Sequence, residues 1–154
     1  MLEDYQKKII DLLYKQESLL ARLYQVFADQ FPDFSDFWQE LMKEEEQHAE
    51  WIKKFYQAEK KDLVAFSEGK IKTYTMNSFI ENLERTIGRA EKREINLKMA
   101  IAYTLDFERS LIEKNVFSHF QVIDETVQGI MGKIAHETRR HAKKAEDMMA
   151  RLNN

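Results

Sequence analysis

"KEEEQHAEW", residues 43–51, places Glu45 and His48 three positions apart. Around them Trp38, Leu41, Ile52 and Phe55 recur at three- and four-residue spacing, the signature of one face of an amphipathic helix. The stripe reads 38, 41, 45, 48, 52, so a carboxylate and an imidazole stand where the helix should turn its apolar side inward. Burying such groups without partners is costly. What surrounds this stretch decides whether the helix belongs to a plain bundle or to a site.

Upstream, Ile9 or Ile10, Leu13, Leu20, Tyr24 and Phe27 share one helical face in a segment running from about Leu2 to Gln30. Pro32 in "DQFPDFSD" ends it, because proline lacks the amide proton and restricts the residue before it. Asp33 or Ser35 can cap the helix that follows, which continues to about Lys60. "EGKIKTYTMN", around Gly69, breaks the pattern. Ser78 and Glu81 in "SFIE" read as a capping box, which predicts a crossover helix over about 78–92. Asn96 can cap a fresh start at Leu97, giving a third bundle helix over about 97–118. Asp124 can cap a fourth, running to about Leu152. Two hairpins joined by one long crossover predict an all-α, antiparallel four-helix bundle with an extra helix in the crossover, the connection used by ferritin-like folds.

Composition agrees. The chain has 154 residues, the size of a single domain covering 1–154, with one Pro, four Gly and 33% charged residues, as long helices with short connections require. A net charge of −3 gives no support for a nucleic-acid partner. No cysteine is present, which excludes disulfides, thiolate sites and iron–sulfur clusters. "MLEDYQKKIIDLLYKQ" lacks a signal-peptide core, and no apolar run approaches the ~20 residues needed to span a bilayer. The expectation is a soluble, cytoplasmic protein with no membrane partner.

Every seam is interrupted near its middle. The stripe of the first helix, 13, 17, 20, 24, 27, contains Glu17. That of the third, 101, 105, 108, 112, contains Glu108, and that of the fourth contains His141, with Thr138 and Glu137 one turn earlier. Glu17 lies 15 residues before Pro32, while Glu45 and His48 lie 13 and 16 after it, so the three come out level in an antiparallel hairpin. Several facing carboxylates would repel one another, and a divalent cation removes that problem while accepting oxygen and imidazole ligands. Di-iron carboxylate bundles take a Glu from each of two helices and a Glu-x-x-His from each of the other two. Glu17, Glu45-x-x-His48, Glu108 and His141 fill most of that template.

"ESLLARLY" (17–24), "EEEQHAEW", "LDFERSLIEKNVF" and "HETRRHA" together resemble the rubrerythrin branch of the ferritin-like superfamily. The resemblance implies metal ligands at Glu17, Glu45, His48, Glu108 and His141, with Tyr24 beside the site; core packing explains Tyr24 as well as a redox role does, and its phenol can hydrogen-bond a ligand carboxylate. The family's last motif departs here, because Thr138 stands three residues before His141. Glu137, four before, lies on nearly the same face and can swing in as a ligand. Without it the second metal is weak or absent. The rubredoxin-like iron site is also missing, since there is no cysteine to build it.

Two functions follow. One is a non-haem iron protein, with Glu45 bridging two irons, that acts as a ferroxidase or peroxide reductase on oxygen or peroxide with an external electron donor, as a monomer or homodimer. The other is a helical bundle with a degraded site, or one holding a single Fe, Zn or Mn, that serves as a structural or interaction module. Arg139, Arg140, Lys143 and Lys144 read as a solvated helix face, and Met148 and Met149 as core filler. His119 and His136 fall off the seam and receive no role.

Overall fold

The computed structural model describes residues 4–60, 64–66, 73–114, 120–122 and 125–154, with side chains over 7–55, 74–111 and 125–154. Five α-helices appear among them: α1 (Asp4–Gln30), α2 (Ser35–Lys60), α3 (Thr73–Glu91), α4 (Leu97–Lys114) and α5 (Glu125–Asn153). Two three-residue strands, β1 (Val64–Phe66) and β2 (Phe120–Val122), pair antiparallel with Ala65 opposite Gln121. α1 packs along α2, α4 along α5 and α2 along α5, while the crossover helix α3 lies against α1. The architecture is the all-α four-helix bundle with a helical crossover.

The turn between α1 and α2 follows from Pro32. Phe31 donates its amide to the Phe27 carbonyl at 3.0 Å, and the chain then enters a 3-10 turn over Pro32–Phe34. Ser35 is already helical (φ −56°, ψ −42°), and its hydroxyl accepts from the Gln39 side-chain Nε2 at 2.8 Å. Ser35 therefore opens α2 from within, and Asp33 sits inside the 3-10 turn, so the expected side-chain cap is replaced by that turn.

The crossover helix also starts earlier than the capping box suggested. α3 begins at Thr73, so Ser78 and Glu81 lie in its interior. Tertiary burial overrides the local signal, because buried Met76 extends the stripe that continues through Ile80, Leu83, Ile87 and Ala90. α3 closes with Glu94 N–H on the Arg89 carbonyl at 3.0 Å and Arg93 N–H on that of Ala90 at 2.9 Å. Arg93 takes the left-handed conformation (φ 58°) that this closure needs. Asn96 then caps α4 as its sequence position implies: its Oδ1 accepts the Met99 amide at 2.9 Å. The expected cap at Asp124, His119, and the stretch between Lys114 and 118 lie outside the described residues.

Apolar packing forms two separate clusters. One holds Ile9, Ile10, Leu13, Ile52, Phe55, Ile80, Met131 and Ile134. The other gathers Leu20, Phe27, Trp38, Leu41, Leu83, Ile101 and Phe107, with Met148 and Met149 partly buried against it. Trp38 is the centre of the second, with the Phe27 and Phe37 rings each 5.3 Å away and its Nε1 donating to Thr104 Oγ1 at 3.1 Å. Between the clusters lies a layer of polar side chains. Among the described residues no helix is long and apolar enough to cross a membrane.

Candidate metal centre

Each bundle helix sends polar groups into that layer from the middle of its apolar stripe. Glu17 sits between Leu13 and Leu20, Glu45 and His48 between Leu41 and Ile52, Glu108 beside Phe107, and His141 between Ile134 and Ala145. All five are buried, none more than 2% exposed. They form two three-residue groups whose candidate ligand atoms lie within 4.8 Å of one another: Glu17, Glu45 and His48, and then Glu45, Glu108 and His141.

Glu45 belongs to both groups, one oxygen to each. Its Oε1 lies 3.0 Å from His141 Nδ1 and its Oε2 3.3 Å from His48 Nδ1. Glu17 Oε2 is 3.9 Å from His48 Nδ1, and Glu108 Oε1 is 3.4 Å from His141 Nδ1. Both imidazoles thus turn Nδ1 toward the carboxylates, and the two rings stack with centroids 5.9 Å apart. The Tyr24 hydroxyl, fully buried, donates to Glu108 Oε1 at 2.7 Å.

Four buried side-chain atoms among the described residues have no hydrogen-bond partner: Glu17 Oε2, Glu45 Oε2, His48 Nδ1 and Glu108 Oε2. All four belong to this one layer. Elsewhere among the described residues buried side-chain polar atoms find partners, as where Thr104 takes the Trp38 proton and donates its own to the Ala100 carbonyl at 2.8 Å. Unsatisfied buried groups are costly, and oxygen and imidazole lone pairs converging on one volume are the donor set of a divalent cation. The residues fit a metal.

A family model, Rubrerythrin, matches residues 8–122. The chain belongs to the rubrerythrin family. No curated protein and no solved structure matches it. The matched stretch contains Glu17, Glu45, His48 and Glu108 and stops short of α5. His141 is thus placed with the rubrerythrin carboxylates by the geometry alone.

Electrostatics within the layer favour protons on several of its buried groups. Burial pushes the Glu45 carboxyl well above the usual range, and the neighbouring Glu108 and Glu17 charges push it further. Burial lowers the basicity of His48, yet the nearby Glu17 and Glu45 carboxylates outweigh it and raise the imidazole to about 11. His141 also rises to about 11, its burial outweighed by Glu108 and Glu45. For Glu17, burial raises the carboxyl, but Glu45 and the two histidines prevail and hold it low. Burial and the Glu108 charge push the Tyr24 phenol well up, so it stays a donor.

Glu137 joins neither group. Its Oε2 meets the far nitrogen of His48, Nε2, at 2.6 Å, and its side chain is 15% exposed. Thr138 is buried at the position where the family template has a carboxylate. One residue escaped the sequence reading: Glu44 contacts His141 Nε2 and also pairs with Arg140. The available signal was spacing, because Glu44 precedes His48 by four residues just as Glu137 precedes His141. His136 is exposed, apart from the layer. Trp51, half-buried, stacks on His48 at 5.8 Å, and the Lys133 ammonium lies 4.8 Å from its ring centroid.

Proposed function

We propose that this rubrerythrin-family chain is a non-haem iron protein that reacts with oxygen or peroxide and is recharged by an external electron donor. Glu17, Glu45 and His48 would hold one iron and Glu45, Glu108 and His141 a second, with Glu45 shared. The observation that carries the reading is the convergence of every unsatisfied buried side-chain atom among the described residues on these two groups. Iron(II), when bound, supplies electrons for ferroxidation or peroxide reduction.

The chain's own residues set the conditions. The apolar clusters on either side limit access of water, so charge within the layer is felt strongly. Tyr24 keeps its proton on the phenol oxygen and holds Glu108 Oε1, leaving Oε2 for the ion. Thr138 favours a second reading, in which one bridging carboxylate fewer leaves a single Fe, Zn or Mn in a structural role.

Anaerobic titration with iron(II), followed by oxygen or peroxide, separates the two. The first reading expects about two ions per chain and oxidation well above the buffer rate. One ion or none, with no oxidation beyond the buffer, would establish the second.

A further inference from the structure

We propose that Glu44 and Glu137 are positioning residues acting crosswise: each holds the imidazole of the other helix so that its Nδ1 faces the ligand set. The inference rests on the metal reading above and concerns residues outside both ligand groups. Glu44 is on α2 and touches His141 of α5, while Glu137 is on α5 and touches His48 of α2. Each contact is made to Nε2, on the side of the ring away from Glu45.

An imidazole that donates Nε2–H to a carboxylate has its tautomer fixed, which leaves the Nδ1 lone pair for a cation. The contacts assign those sides: Nδ1 of His48 lies 3.3 Å from Glu45, and Nδ1 of His141 lies 3.0 Å from it. Arg140, paired with Glu44, steadies that outer carboxylate in turn. The crossed arrangement also explains how α5 serves without a carboxylate at position 138. Its Glu lies four residues before the histidine instead of three, so it reaches the neighbouring helix's ring instead of the ion volume.

The test compares Glu44→Gln and Glu137→Gln with wild type, using Co(II) affinity and nitrogen-15 NMR of histidine side chains in Zn(II)-loaded protein. Each variant should bind Co(II) about 10–100-fold more weakly, the range set by loss of an outer hydrogen-bond partner. Glu44→Gln should shift the Nε2 signal of His141 and spare His48, and Glu137→Gln should do the reverse. A merely structural defect would disturb the histidine of the mutated helix. That outcome, or unchanged affinity and spectra in variants of a wild type that binds Co(II), would overturn the proposal. Complete loss of one ion in Glu137→Gln would also overturn it, making Glu137 a ligand. Failure of the wild type itself to take up Co(II) or iron(II) would instead sink the metal reading.

Discussion

The apolar clusters and the polar layer between them are built on opposite terms. In the clusters, apolar side chains are buried against one another and a buried donor such as Trp38 Nε1 finds its acceptor. In the layer, Glu45 is fully buried, strained by neighbouring carboxylates and short of a partner at Oε2. The first arrangement is what a chain does to be stable, and the second has the donor set that fits a divalent cation. Stability measurements and metal measurements should therefore respond in opposite directions in the two regions.

The largest contrast should come from replacing Glu45 and His48 together with Ala. Iron(II) uptake is expected to fall from about two ions per chain to none, because the shared carboxylate and one imidazole are lost. Equilibrium dialysis with elemental analysis reads the result, and unchanged uptake would mean the site lies elsewhere. Trp38→Ala should act on the other side of the comparison, costing about 3–5 kcal/mol in urea unfolding through the void left in the second cluster. A loss below 1 kcal/mol would show that this cluster is not the packed core described above.

A smaller effect separates the regions by sign. His48 and His141, raised from 6.5 to about 11, favour the folded metal-free chain fully below pH 6.5, and that contribution is lost as pH climbs through 11. Glu45, raised from 4.5, costs the fold more once pH exceeds its ordinary value. The histidines predict a metal-free Tm that drops between pH 6.5 and 9, and a metal affinity that rises over the same window as protons leave. Glu45→Gln should raise the metal-free Tm and flatten its slope while weakening metal binding. A metal-free Tm that climbs with pH would contradict the electrostatics. The smallest change is Tyr24→Phe, which removes one hydrogen bond to Glu108 and should cost about 1 kcal/mol, leaving the ion count intact.

Much of this was legible in the chain because helical periodicity is a local signal. Pro32, Asn96 and the mid-seam positions of Glu17, Glu45, His48, Glu108 and His141 could all be read by counting. What escaped depends on distant segments. The β1–β2 ladder joins residues 64–66 to 120–122, a pairing that three-residue stretches do not announce. Ser78 and Glu81 imitate a helix start, but the burial of Met76 carries α3 through them. Glu44 received no role from the sequence, and only the approach of α5 reveals the imidazole it faces. Glu137 was expected to swing in as a ligand, yet the crossing of two helices sets it on the far nitrogen of His48, outside both ligand groups.

Trp51 has a use of its own. The chain has two tryptophans, and Trp38 is held by Thr104 while Trp51 lies ring to ring with His48. Fluorescence from Trp51 therefore gauges the state of that imidazole from within the native fold, and filling or emptying of the neighbouring seat can be followed in real time without a dye.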